Sequence, residues 1–412
     1  MSLSIRGAAQ VLAPPEDGLA YLRHDRAGEL RLDPGSVTCA DGRIVALEED
    51  PAADVRIDAT GCAVVPGLVD CHTHLPFVGW RAGEYEQKVT GVPYEEISRS
   101  GGGIAATARA LAAASDEEVL DQSGALAAEM LGWGTTTFET KSGYGLSRDG
   151  ELRSLRLADR LGQIVPQSTA STALLAHAVP PGASADDWVD EVAAMLDEVV
   201  ATTGARALDV YVESIAFTND HLRRLGRLAA DHGLGLRCHA EQFATHRTVP
   251  VALEAGARSV DHLGAMHADD VAPLAAAGCA AVLLPGAEFM GNEHPAPGRA
   301  LADAGAICVL ATDLNPGTSP VASLPLVIGI AVRRYGWTAR EALLATTLNA
   351  AWVLDLSHDR GAIEPGRRGD LVVLDGPVEH VAYRLGHNPV AAVVVGGEVV
   401  HVRPDFATRV TG

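Results

Sequence analysis

No stretch of the 412-residue chain is apolar for long enough to span a bilayer, and the start, Met1 to Pro14, lacks the basic-then-apolar order of a signal peptide. Positive charge is scarce. Against 53 Asp and Glu there are only 32 Lys and Arg, and the formal charge of −21 repels phosphate backbones and anionic lipid surfaces. Nucleic acid and membrane are thereby disfavoured as partners, and the cytoplasm is the expected location. The six cysteines lie scattered in apolar stretches with no Cys-x-x-Cys pair, which excludes a disulfide scaffold and favours reduced, buried thiols. There is no repeat at a fixed period, so a solenoid is not expected.

What is present is globular: 47% hydrophobic residues, 21% charged, and 43 Gly with 22 Pro for many short turns. Residues 1–64 read as short strands and tight turns, for example Ser36-Val37-Thr38-Cys39, Ala40-Asp41-Gly42-Arg43 and Ile44-Val45-Ala46-Leu47. From Gly361 onward the pattern returns in Leu371 to Leu374, Ala391 to Val395 and Val399 to Val402. Neither end has strands enough to bury a face alone, so 1–64 and 361–412 are predicted to form one small β-domain together.

Between them, 65–360 alternates strand-like runs with Ala/Leu/Arg/Glu-rich helical runs, the signature of a parallel α/β architecture. Strand candidates are Ala63 to Leu68, Thr135 to Glu139, Gln167 to Leu175, Asp209 to Glu213, Gly235 to His239, Ser259 to His262, Ala280 to Leu284 and Ile307 to Ala311. Eight such runs suit a closed barrel, and polar residues follow nearly every one: His72/His74, Lys141/Tyr144, His177, Glu213, His239/Glu241/Gln242, Asp261/His262, Glu288 and Asp313/Asn315. In a parallel barrel these strand ends open on one face, so the polar residues converge there.

In Cys71-His72-Thr73-His74-Leu75 the two imidazoles point to the same side of a strand, because strand side chains alternate. Imidazole pairs of this kind suit Zn, Fe or a similar transition metal. His239 and His262 end two later strands, and Asp313 follows the last. Three histidines and an aspartate leave a coordination position open for water, as a catalytic metal requires. Asp313 is placed to take the proton of an attacking water, and His262 to stabilise an oxyanion or shuttle a proton.

This constellation resembles the amidohydrolase superfamily. Within it, Gly101-Gly102-Gly103-Ile104, Lys141-Ser142-Gly143-Tyr144-Gly145-Leu146, Ala176-His177-Ala178-Val179-Pro180, Leu283-Leu284-Pro285-Gly286 and Ala311-Thr312-Asp313-Leu314-Asn315-Pro316-Gly317 are similar to the imidazolonepropionase family, from about Val65 to Asn388. The resemblance implies a TIM-like (β/α)8 barrel with a small β-sandwich domain made from both chain ends, a homodimer, and one Zn2+ or Fe3+ per chain held by His72, His74, His239 and Asp313. It further implies substrate contacts from Arg81, Tyr94, Tyr144, His177, Gln242, Asn315, Gly317 and Thr318. The implied reaction is hydrolytic ring opening of 4-imidazolone-5-propanoate to N-formimidoyl-L-glutamate. Arg81 would clamp the substrate carboxylate and Tyr144 would add a hydroxyl donor.

Two rivals are weighed on single residues. A binuclear relative would carry its carboxylated lysine after the fourth strand, whereas Lys141 follows the second candidate, so its expected role is structural or electrostatic. The alternative enzyme is a deaminase or cyclic-amide hydrolase acting on another nitrogen heterocycle; the deaminase would carry a glutamate three places after His239, where this chain has Gln242, which cannot transfer protons as an acid does. Trp80, just before Arg81, is bulkier than the resemblance leads one to expect and would narrow the pocket for the substrate tail.

Overall fold

The computed structural model describes residues 2–291 and 294–412, except for the side chains of Tyr94 and Glu95. Eight parallel strands follow one another in chain order around a barrel: β6 (Leu68–Asp70), β7 (Thr135–Lys141), β8 (Ser168–Ala176), β9 (Ala205–Val212), β10 (Gly235–Ala240), β11 (Ser259–His262), β12 (Ala280–Leu283) and β13 (Ile307–Leu310). The first and last strands meet at their C-terminal ends. There Asp313 N donates to His72 O at 2.9 Å, His74 N donates to Leu314 O at 2.9 Å, and Thr73 forms a parallel bridge with Leu314. Helices return the chain between strands. Their starts are written locally, since Ser115, Ser147, Ser184, Thr218 and Ser323 each cap a helix by accepting a backbone N–H that would otherwise lack a partner. The helix Arg148–Ile164 shows the pattern that docks them, burying Leu152, Leu155, Ala158 and Leu161 at helical spacing while arginines face outward.

A second, nine-stranded sheet is built from both chain ends: β1 (Ser2–Ala13), β2 (Arg31–Ala40), β3 (Arg43–Ala46), β4 (Val55–Asp58) and β5 (Ala63–Pro66), with β14 (Leu371–Leu374), β15 (Val390–Val395), β16 (Glu398–Val402) and β17 (Val410–Thr411). β1 branches it: Leu3 to Arg6 pair with β4, and Gln10 and Val11 pair with β5, while β2 runs along its other edge. Side chains from both branches, among them Ile5, Val37, Ile57, Val64, Val373 and Val394, share one buried core. The run Ala63 to Leu68, read from the sequence as one barrel strand, is divided at Gly67. Residues 63–66 pair antiparallel with β14 in the terminal sheet, and only Leu68–Asp70 enters the barrel. Among the described residues, no helix is long and apolar enough to cross a membrane.

Candidate active site

Barrel closure itself brings His72, His74 and Asp313 together, since they sit on the two strand extensions that form the seam. His74 Nε2 lies 3.1 Å from Asp313 Oδ1, and His72 Nε2 lies 3.5 Å from the same oxygen. Two overlapping triads, His72/His74/Asp313 and His72/His239/His262, each offer one ligand atom per residue within 4.8 Å of one another. His262 is thus within ligand reach of the same point, although its ring centroid is 5.8 Å from that of His72 against 4.4 Å for His239, and the resemblance counts only His239 as a ligand.

The chemistry of these donors fits a metal ion. Burial, reinforced by neighbouring charges, holds the His72 and His74 pKa values well below the ordinary imidazole range, so both rings are neutral, the form that binds metals. His72 Nδ1 donates to Asp261 Oδ2 at 2.6 Å and His239 Nδ1 donates to Asp209 Oδ1 at 3.0 Å. An ionised carboxylate only accepts, so each ring must carry its proton on Nδ1 and present a lone pair at Nε2. His72 Nε2 and His239 Nε2 are buried and have no hydrogen-bond partner among the described residues, an arrangement that is costly unless a cation fills it. Burial pushes the Asp313 carboxyl upward, with His262 and His239 opposing. Burial also lowers His262 to about 3, leaving it neutral. The backbone at Glu241, His262, Leu263 and Asp313 has positive φ, from 55° to 81°, so left-handed conformations cluster at the strand ends around the site.

A cavity with about 390 Å³ of empty space opens beside this cluster, lined by His74, Arg81, Tyr144, His177, His239, Gln242, His262, Asp313, Asn315 and Thr318. The residues expected from the sequence therefore converge, apart from Tyr94 and Gly317. Tyr94 begins a short helix, but its side chain lies outside the described residues. Gly317 does not line the cavity; it backs Arg81, whose Nη2 would be 1.8 Å from a Cβ there. Asn315 reaches the wall, yet its Oδ1 accepts from Gly317 N at 2.9 Å, Thr318 N at 2.7 Å and Thr318 Oγ1 at 3.0 Å, so it shapes the loop.

Arg81 is aimed by Glu84 Oε2 at 3.0 Å and Thr107 Oγ1 at 2.5 Å. His177 Nδ1 donates to Gly143 O at 3.0 Å, which leaves Nε2 for the cavity. Gln242 Oε1 accepts from Tyr211 at 3.0 Å, which turns the amide N–H groups outward as donors. Glu241 is turned elsewhere, accepting from Thr248 N at 2.6 Å and His246 N at 3.2 Å. Trp80 does not narrow the cavity: it is 48% exposed, with its ring edge-on to Phe77. The sequence reading missed Tyr211, Ile104 and Phe243 on the wall. For Tyr211 a signal existed, because Asp209, Tyr211 and Glu213 alternate along one strand.

Comparison with known proteins agrees with this geometry. A profile of the amidohydrolase family matches residues 63–400. The imidazolonepropionase of Rubrobacter xylanophilus is 44% identical over 396 residues, covering 92% of this chain and 94% of that protein. That of Caulobacter vibrioides is 42% identical over 390 residues, covering 92% and 97%. Among solved structures, a triazine hydrolase from Arthobacter aurescens superposes with a TM-score of 0.71 at 17% identity, covering 98% of this chain and 96% of that one. At that identity the superposition speaks for the fold alone. The profile spans the whole barrel and the relatives align along nearly the entire chain, and on that ground this protein belongs to the amidohydrolase family, whose members are metal-dependent hydrolases.

Proposed function

We propose that the protein is an imidazolonepropionase, opening the ring of 4-imidazolone-5-propanoate with water to give N-formimidoyl-L-glutamate. The observation that carries this reading is the 44% identity to an imidazolonepropionase over 92% of the chain. Hydrolysis of a cyclic amide C–N bond is also what the cavity is equipped for. His72, His74, His239 and Asp313 would hold one metal ion, Zn2+ or Fe3+, with His262 beside them. When bound, such an ion lowers the pKa of water from about 15.7 toward 7 and polarises a carbonyl.

The remaining chemistry falls to the protein. Arg81, aimed by Glu84 and Thr107, pairs with the propanoate carboxylate, and Tyr144 adds a hydroxyl donor. Gln242, its carbonyl tied to Tyr211, donates to a ring acceptor, and His177 Nε2 contacts the ring or the tail. Asp313 takes one proton from water as its oxygen bonds the ring carbonyl carbon. Neutral His262 donates to the developing oxyanion. The C–N bond then breaks, and its nitrogen takes the proton that Asp313 accepted from water. Gln242 in place of an acid disfavours a deaminase.

The test combines purified protein of known metal content with freshly generated 4-imidazolone-5-propanoate and follows formimidoylglutamate. Turnover is expected; fully metallated protein that gives no product would overturn the substrate assignment and leave the family intact.

A further inference from the structure

The two carboxylates that hold the histidine rings are themselves held. Asp209 presents Oδ1 to His239 and Oδ2 to Lys141 Nζ at 2.6 Å. Asp261 shares Oδ2 between His72 and Arg237 Nη2, the latter at 2.8 Å, while its Oδ1 accepts from Ser259 at 2.6 Å. Glu139 joins the two halves, with Oε2 at 2.9 Å from Lys141 Nζ and Oε1 against Arg237 Nη1. Arg237 is locked further, donating to Cys71 O at 2.8 Å and to Ser259 Oγ at 3.0 Å. All five charged side chains are buried. Arg237 stands two residues before His239 on β10 and is in register with Asp209 on β9, so the layer lies directly under the histidines, toward the strand starts.

Such a layer is a poor device for stability, because removing five charges from water costs more than their pairing returns in most proteins. Its use must be sought in what it touches. Asp209 serves His239 Nδ1–H and Lys141 Nζ with its two oxygens at once, so the lysine fixes where the acceptor for His239 stands. None of the five side chains appears on the cavity wall, so none is placed to touch substrate.

We propose that Lys141 and Arg237 are positioning residues for the metal: acting through Asp209 and Asp261, they fix the tautomer and the aim of His239 and His72, and Glu139 couples the two arms into one rigid layer. This rests on the metal-site reading above. A wild-type protein that takes up no metal would overturn that reading; a metal-binding wild type with indifferent variants would overturn this one alone.

Charge makes the proposal testable, because two accounts of Lys141 predict opposite signs. If the lysine merely contributed charge, its removal would take away a repulsion and tighten cation binding. If it positions, Lys141→Met frees Asp209 and His239 and weakens binding, by about 10–100-fold for an outer-shell partner. Affinity for Zn2+ and Co2+ is read by competition with a chromophoric chelator, and the visible absorption of the Co2+ form reports ligand geometry. Circular dichroism melts of the metal-free proteins check folding. We expect weaker binding and an altered Co2+ band for Lys141→Met; unchanged or tighter binding overturns the proposal.

Lys141→Met leaves Asp209 buried without its cation, which by itself disturbs the site. Asp209→Asn and Asp209→Asn/Lys141→Met form the second comparison, in which the buried charge has been removed first. Acting through Asp209, the lysine has nothing left to do there, so the two proteins should bind metal equally. A tenfold difference between them in either direction overturns the proposal.

Discussion

A methyl group on Gly317 would stand 1.8 Å from Arg81 Nη2, so the guanidinium keeps its place only because position 317 has no side chain. Gly317→Ala should displace Arg81 and reproduce Arg81→Ala: KM for the carboxylate substrate rises about 10–100-fold, the worth of a charge-assisted hydrogen bond, with kcat less affected. Steady-state kinetics of both variants check this, and an unchanged KM would remove Arg81 from carboxylate binding. His72→Ala should lose its metal, by elemental analysis. At this scale the histidines and Asp313 were legible because each follows an apolar run, and strand ends of a parallel barrel share one face. Arg237, Asp209 and Asp261 were not assigned roles. Their meaning lies in pairings with β6 and β7, and a period of two tells which side a residue faces but not its neighbour across the barrel.

Among the elements, the division of the run Ala63 to Leu68 was illegible because its hydrophobic pattern continues across the break. The break is made by a partner from far along the chain: Gly67 N donates to Asp370 O at 2.8 Å. A Cβ at Gly67 would meet Thr136 Oγ1 at 2.1 Å, so the crossing from sheet to barrel tolerates no side chain. Gly67→Ala should destabilise the protein by about 1–3 kcal/mol through overpacking, read as a lower denaturant midpoint. Thr136→Ala in the same chain should recover part of the loss. The helices were easier, since their Ala/Leu/Arg/Glu-rich runs stand out from the strand-like runs between them without reference to distant residues.

For the molecule as a whole, the segment between β1 and β2 docks on the barrel through an uncharged imidazole. His24 N donates to Ala306 O at 3.1 Å, and its ring lies 4.3 Å from that of Trp337, with neither ring nitrogen hydrogen-bonded among the described residues. Burial lowers the His24 pKa to about 3, with Glu341 opposing and Arg299 adding. The unfolded chain therefore binds this proton more readily than the folded one. The contribution is fully present above about pH 6.5 and is lost as the pH falls toward 3, at up to about 1.4 kcal/mol per pH unit. Denaturant midpoints of the metal-loaded protein at pH 7.5 and 5.5 should fall less for His24→Phe than for the wild type.

The seam where β6 and β13 extensions meet, with Asp313 N on His72 O, joins residues that stand far apart along the chain. A growing polypeptide that has already folded several strands presents His72, His74, His239 and His262 but not the carboxylate, and the cluster is complete only once Asp313 has left the ribosome. A chain that stops short of Asp313 lacks both the closing seam and the carboxylate of the cluster.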